Sequence, residues 1–316
     1  MMECQTWPEP VIRVSALAQS GLTKIPQRFV KPHSQRASMS STAPHQNGVN
    51  GGGDVNIPVI DLQHLSGGDQ RLREETLRRV SVACREYGFF QVLNHGVSHE
   101  LMRSAREVWR EFFNLPVEVK EEYANSPTTY EGYGSRLGVK KGAILDWSDY
   151  FFLHYMPASL RNPAKWPSLP PSCRQVIAEY GEQVVKLGDP GGMTILLPDE
   201  DVSGLQVRRG DDWITVKPVP NAFIINIGDQ IQVLSNAIYK SVEHRVIVNS
   251  NKDRVSLAFF YNPRSDLLIQ PTKELVTEET PALYPPMTFD EYRLYIRTKG
   301  PCGKSQVEAL KSPSFK

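Results

Sequence analysis

The amino-acid sequence predicts an α+β protein in which an N-terminal α/β region precedes an antiparallel β core of jelly-roll type. Three observations support this prediction. Apolar residues recur at helical spacing in the first half of the chain. From Asp189 onward, short apolar stretches alternate with Gly, Pro, Asn and Asp, which is typical of a sandwich or barrel. A helical pattern bounded by prolines and by a glycine then closes the chain.

The chain divides into four segments by composition. Residues 1–56 are predicted to form an N-terminal arm, rich in aromatics and prolines at its start, and a disordered linker. The linker, 33–56, is dominated by Ser, Gln, Asn and Gly and is too polar to bury a core. Residues 57–186 form the α/β region, 187–265 the jelly-roll core and 266–316 a C-terminal segment with its helix.

Individual elements follow from local patterns. In the α/β region we predict strands at 57–61 and 89–93, a helix around Leu72 to Ala83, and a second helix at 98–114 that ends before Pro116. The candidate core strands are 193–197, 205–208, 213–216, 222–227, 241–248 and 254–261, and the closing helix is 289–298.

Charge and cysteine content narrow the class of partner. The 36 Lys and Arg residues balance 35 Asp and Glu residues, so a net charge of +1 gives no field to attract nucleic acid or an acidic membrane. No apolar stretch approaches membrane-spanning length, and the four cysteines are widely spread. We therefore expect a small-molecule partner and a cytoplasmic location, with the nucleus as a second one, while the oligomeric state stays unknown.

Four polar residues of the β-rich half suggest a binding site for an anion and a metal. Arg254 and Ser256 lie two residues apart, so on a strand they share a face, and a guanidinium beside a hydroxyl suits a carboxylate. His244 precedes them by one hairpin, and Asp189 opens the run of strands. A histidine and a carboxylate are ligands of iron in many oxygenases. Taken singly, Arg254 could pair with a neighbouring acid, His244 could be a core residue, and Asp189 could belong to a turn.

The order and spacing of Asp189, His244 and Arg254-Val255-Ser256 resemble those of the plant iron- and 2-oxoglutarate-dependent dioxygenases. The resemblance extends to 57–61, 87–97, 132–134 and 147–151. It implies a double-stranded β-helix core, with Asp189 and His244 as metal ligands and Arg254 and Ser256 holding 2-oxoglutarate. Fe(II) and 2-oxoglutarate would be the cofactors, with ascorbate as an optional third and O2 as a reactant. By the same resemblance, His95 and His154 are scaffold residues.

One departure from the family concerns the metal site. The family places a histidine two residues before the aspartate, and that position is Leu187. The helical pattern of Val176, Tyr180 and Val184 runs directly into Gly188-Asp189, so several dozen family residues are missing and the jelly roll is expected to be incomplete. A skipped exon or a gene-model error would explain this. Whether the chain is an active enzyme is left open.

The substrate class is suggested by the last helix. Arg293 and Arg297 stand four residues apart, so on a helix they could grip one carboxylate, although a solvated basic face is the alternative. The two chain ends resemble the plant subgroup that hydroxylates jasmonic acid, in which Phe151 and Phe260 would line the cavity. Oxidation of flavonoids and a catalytically inactive truncated isoform are the competing hypotheses.

Overall fold

The structure is a computed structural model that describes residues 6–33, 36, 56–135, 141–188, 191–299 and 305–311. In chain order the helices are α1 (Val14–Gln19), α2 (Gln70–Glu86), α3 (His99–Asn114), α4 (Val117–Glu121), α5 (Cys173–Lys186), α6 (Asp229–Leu234), α7 (Phe289–Lys299) and α8 (Ser305–Ala309). The strands are β1 (Val59–Asp61), β2 (Phe89–Leu93), β3 (Gly132–Gly134), β4 (Tyr150–Phe152), β5 (Met193–Leu197), β6 (Leu205–Arg209), β7 (Asp212–Thr215), β8 (Phe223–Ile227), β9 (His244–Val246), β10 (Leu257–Phe260), β11 (Leu268–Ile269) and β12 (Met287–Thr288).

The chain forms two compact units. The first, here called the helical unit, comprises Met1–Thr42 and Glu107–Gly181, and the second, the sheet unit, comprises Ala43–Arg106 and Glu182–Lys316. Across the described ranges, no helix is long and apolar enough to cross a membrane.

The sheet unit contains two sheets that pack face to face. The larger has the strand order β1-β2-β8-β5-β10, with β1 and β2 parallel and every other pair antiparallel. The smaller has the antiparallel order β7-β6-β9. Phe89 and Ile224 of the larger sheet pack against Leu205 and Val207 of the smaller one. This arrangement confirms the predicted antiparallel core of jelly-roll type and the α+β class.

The inner faces of the two sheets are unevenly packed. The shared cluster of Ile57, Phe89, Leu205, Val207, Val216 and Ile224 is buried to within a few per cent. In contrast, Val246 of β9 and Phe260 of β10 remain 52% and 57% exposed. An apolar side chain left in water on the inner face of a sandwich indicates that a covering element is missing.

The helical unit includes the N-terminal arm. Short helix α1 is anchored by the Asp149 carboxylate, which accepts hydrogen bonds from the backbone amides of Val14 at 2.8 Å and Ser15 at 3.0 Å. The same carboxylate accepts the hydroxyls of Tyr133 and Ser135. An acceptor 135 residues away thus caps a helix of only 6 residues, which could not form alone.

Aromatic packing fills the rest of the helical unit. Phe112 and Tyr133 are fully buried, and Phe151 of β4 lies edge-on to Phe112 with ring centroids 5.1 Å apart. Trp109 covers the same cluster, 5.0 Å from Phe151. Phe151 is therefore a packing residue of this cluster, and the expectation that it lines a substrate cavity is not supported by its contacts.

Most predicted elements are present, but several bounds differ. The strands predicted at 241–248 and 254–261 shorten to β9 and β10. The predicted linker falls almost wholly outside the described residues. Helices α1, α4, α6 and α8 and the strand pairs β3–β4 and β11–β12 were not predicted.

Replacing Asp149 with asparagine should release the arm and destabilise the helical unit. Burial raises the pKa of Asp149, but hydrogen bonds from Ser135, Ser15 and Val14 outweigh burial and hold that pKa below its usual 3.8. The contribution is therefore present above pH 4 and is lost as the pH falls through the lower folded-state value. We expect Asp149→Asn to cost about 1–3 kcal/mol at pH 7.

Urea unfolding of the native chain and of Asp149→Asn between pH 2 and 7 checks this. The two curves should differ at neutral pH and converge in acid. Asp146→Asn is the matched control, because that carboxylate is 67% exposed and pairs with the side chain of Lys31 at the surface. An equal loss in both variants would contradict the assigned role.

Candidate functional site

Arg254 has the properties of an anion-binding residue. Its side chain is only partly exposed, and burial lowers its pKa while the nearby Asp199 partly offsets that effect. Among the described residues, none forms a hydrogen bond or a close ion pair with its guanidinium. A partly desolvated guanidinium without such a partner favours binding of a carboxylate, which can accept two of its N–H groups.

The backbone beside Arg254 is fixed by a buried carboxylate. Asp199, which is 1% exposed, accepts a hydrogen bond from the amide of Val255 at 2.9 Å through its Oδ2 atom. Its Oδ1 atom accepts the amides of Asp201 and Val202 at 3.0 and 3.1 Å. Asp199 thus ties the turn after β5 to the segment before β10, and it contributes a negative charge near the guanidinium.

Gly204 leaves room for the Arg254 side chain. A Cβ atom at this position would lie 2.9 Å from the carbonyl oxygen of Ile247 and 3.1 Å from both Cδ and Nε of Arg254. The Ile247 carbonyl or the Arg254 side chain would have to move to accommodate an atom so close. The absence of a side chain at 204 is therefore a steric condition for the observed position of Arg254.

Ser256 lies just ahead of β10, which begins at Leu257, so the prediction that it stands within a strand is wrong. It is half-buried, and it makes no hydrogen bond to the part of the chain that the structure describes. By alternation Ser256 shares the face of Ala258 and Phe260. Its role beside Arg254 stays a prediction.

His244 begins β9 and is exposed. Its ring lies edge-on to Phe89, with centroids 5.2 Å apart, and its Nδ1 atom is 3.2 Å from the carbonyl oxygen of Val242. Because β9 pairs His244 with Val207, a member of the shared cluster, the imidazole lies on the inner face of the smaller sheet. Its role as a metal ligand stays a prediction.

The first ligand positions lie at the junction of α5 and β5. Asp189 is outside the described residues, so its role stays a prediction. Helix α5 ends at Lys186, and Leu187 continues it as a turn whose amide donates to the carbonyl of Val184 at 3.0 Å. Gly188 then adopts a left-handed conformation with φ of 71°. This confirms that the helix runs directly into the Gly188 break.

The donor set fits the two cofactors unequally. Arg254 suits the carboxylate of an oxoacid. Among the residues that the structure describes, however, no group of three or more His, Cys, Asp or Glu side chains could hold a metal ion. Leucine has no ligating atom, and His244 with Asp189 would supply only two protein ligands where a facial iron site uses three. A complete iron site is therefore not supported by these residues.

Arg293 and Arg297 both lie on α7, as predicted. The guanidinium of Arg293 is 3.4 Å from the Asp290 carboxylate one turn earlier and lies over the ring of Phe289. The side chain of Arg297 is outside the described residues. Arg293 thus pairs with an acidic residue of its own helix, as expected if the two arginines lie on a solvated basic face. The part of Arg293 and Arg297 in substrate binding stays a prediction.

Sequence reasoning missed Asp199 and Gly204. Asp199 follows β5 in a Leu-Pro-Asp-Glu-Asp stretch that predicts only a turn, and its partner Val255 is 56 residues away. Gly204 stands alone before a strand, where a close backbone approach is one known reason for a glycine. That signal could have identified Gly204, but no local signal identifies the partner of Asp199.

Two family models match the chain. Residues 57–169 match the N-terminal region of the non-haem dioxygenases of morphine synthesis, and residues 175–263 match the 2OG-Fe(II) oxygenase superfamily. A solved structure of JOX2 in complex with 2OG, Fe, and JA is 53% identical, with a TM-score of 0.86 over 98% of this chain and 100% of that one.

Two curated relatives show the range of similarity. Jasmonate-induced oxygenase 1 of Arabidopsis thaliana is 54% identical over 361 positions, covering 98% of this chain and 88% of the relative. Flavanone 3-dioxygenase 2 of Oryza sativa is 35% identical over 319 positions, covering 85% and 89%. Since 98% of 316 residues is about 310, about fifty of the 361 positions have no counterpart here. The prediction that several dozen residues are missing is thereby supported.

Substituting Gly204 with alanine should displace Arg254 and weaken the binding of 2-oxoglutarate. The added methyl group would overpack the site at a cost of about 1–3 kcal/mol. Equilibrium dialysis with labelled 2-oxoglutarate should show a loss that approaches that of Arg254→Gln. Gly68→Ala is the control, because nothing lies within 4 Å of a Cβ atom there. Unchanged binding in Gly204→Ala would contradict the steric argument.

Proposed function

The chain belongs to the 2OG-Fe(II) oxygenase superfamily, and we propose that it carries the cosubstrate and substrate sites of a jasmonic acid hydroxylase whose iron site is weakened. The reaction consumes O2 and 2-oxoglutarate and yields succinate, CO2 and a hydroxylated substrate. Fe(II) and 2-oxoglutarate are the cofactors of this superfamily. The observation that carries the proposal for this chain is the partly desolvated Arg254, for which the described residues supply no hydrogen-bond partner.

Similarity to relatives supports a small plant carboxylate as the substrate. Four relatives called jasmonate-induced oxygenases are 50–54% identical over almost the whole chain, whereas the flavanone dioxygenase is 35% identical. A solved relative, JOX2, holds JA together with 2OG and Fe. Jasmonic acid is therefore the substrate that we propose, and flavonoids are the alternative within the enzyme class.

A second candidate function is that of a non-catalytic isoform. The shortfall of about fifty positions against relatives and the two-ligand donor set both favour it. Loss of a direct ligand should weaken iron binding by more than the roughly 10–100-fold expected for an outer-sphere partner.

We also propose a cytoplasmic location for the protein, with the nucleus as a second location, and the use of O2 as a reactant.

Reinserting the missing block is the direct test of the proposed function. A chimaera that carries the block of about fifty residues from Jasmonate-induced oxygenase 1 should bind one Fe(II) and hydroxylate jasmonic acid with stoichiometric succinate. The natural chain should bind Fe(II) at least about tenfold to a hundredfold more weakly. Anaerobic iron titration and mass spectrometry of the product measure both quantities.

Each outcome distinguishes the candidates. Turnover of jasmonic acid by the natural chain at high Fe(II) supports a weakened enzyme, whereas no succinate at saturating Fe(II) supports the non-catalytic isoform. A chimaera that oxidises a flavanone and leaves jasmonic acid unchanged would overturn the assigned substrate class.

The two arginines of α7 provide a test of carboxylate recognition. In the chimaera, Arg293→Gln with Arg297→Gln should raise the KM for jasmonic acid about tenfold, because a charge-assisted contact is lost. The KM for methyl jasmonate, which has no charge, should stay unchanged. Arg264→Gln is the control, since Arg264 is exposed and pairs with Asp266. Equal effects on acid and ester would assign both arginines to a solvated face.

A further inference from the structure

Four strands end the two sheets of the sandwich, β1 and β10 in the larger and β7 and β9 in the smaller, and β9 and β10 also expose apolar side chains of their inner faces. Within the described ranges, β10 pairs only with β5, and β9 pairs only with β6. Each therefore presents a row of backbone amides and carbonyls that no described strand satisfies. Such edges accept an additional strand, which natural proteins ordinarily prevent by charge, bulges or cover.

The inner faces of the same two strands are exposed. Val246 is paired with Leu205, a member of the buried shared cluster, so it lies on the inner face of β9, yet it is 52% exposed. Phe260 lies on the same side of its sheet as Leu196, which packs against that cluster, and it is 57% exposed. Strands β9 and β10 therefore each combine an edge without a second described neighbour with an uncovered apolar side chain on the inner face.

The comparisons show that a relative carries residues that this chain lacks. About fifty positions of Jasmonate-induced oxygenase 1 have no counterpart in this chain. The remaining residues nonetheless superpose on JOX2 with a TM-score of 0.86. The retained residues thus keep the fold of that relative although the unmatched positions are absent.

We propose that the open edges of β9 and β10 are docking sites for that block when it is supplied by a separate polypeptide. The occupant is the strand-forming segment that full-length relatives carry and this chain lacks. Main-chain hydrogen bonds to the β9 and β10 edges would provide affinity, and alternate apolar side chains would cover Val246 and Phe260. The segment of this relative is expected to fit the β9 and β10 edges, because the relative and this chain are 54% identical over their aligned residues.

This interaction does not depend on the proposed oxygenase activity, because docking needs neither iron nor 2-oxoglutarate. A chain without any turnover could still accept the segment, and an active chain could fail to do so. Binding is therefore measured without metal.

The test uses a synthetic peptide that spans the unmatched block of Jasmonate-induced oxygenase 1, with a scrambled peptide as control. The full chain should bind one peptide, and hydrogen exchange should show new protection of the amides of β9 and β10. Val246→Lys or Phe260→Lys should weaken binding at least about tenfold, because a lysine would be buried beneath the docked strands. Leu77→Lys is the matched control, since Leu77 is 42% exposed on α2 and away from the sheet edges.

Three results would overturn the proposal. They are no binding of the peptide, protection confined to other elements, and equal weakening by Val246→Lys and Leu77→Lys. Light scattering on the free chain tests a fourth result. If the chain forms dimers, and the protection of the β9 and β10 amides rises with protein concentration, the occupant is a second copy and the proposal is overturned.

Discussion

The direct connection between α5 and β5 is the constraint on which the rest of the sheet unit depends. The tyrosine hydroxyl of Tyr261 donates to the carbonyl of Val184 at 2.5 Å, and the Gly192 amide donates to the carbonyl of Tyr261 at 2.6 Å. The carbonyl of Gly192 accepts the amide of Gly228 at 2.7 Å. These contacts tie the junction to the ends of β10 and β8, so β5 is held between its two neighbours although little chain separates it from the helix.

Because β5 keeps its place, the two halves of the candidate site differ in what they require. The proposed carboxylate-binding site needs Asp199 after β5, Arg254 before β10 and the space at Gly204, and the retained segments supply all three. The proposed metal site needs a ligand pair just before β5, where the chain instead completes a helical turn. We therefore expect the same junction to preserve carboxylate binding and to weaken metal binding.

The sequence predicted those features that are encoded locally. Strands β2 and β5 match their predicted bounds because each is a mostly apolar stretch that begins directly after a glycine. Strands β9 and β10 are shorter than predicted, because the ends of a strand are set by its partners and each has only one described partner. Helix α6 was missed, since its 6 residues are stabilised by tertiary contacts such as the bond from Tyr292 to Asp229 at 2.7 Å.

The candidate metal site cannot be completed by a single side chain. Leu187 lies in a turn, where its amide donates to the carbonyl of Val184, and its backbone continues the helix instead of entering β5. A histidine at this position would project from the end of a helix, whereas two ligands separated by one residue share a direction only on a strand. The proposed ligand geometry therefore requires a strand at this position, and under the docking proposal the same absent block covers Val246 and Phe260. We therefore expect iron affinity and the cover of these two side chains to be gained or lost together.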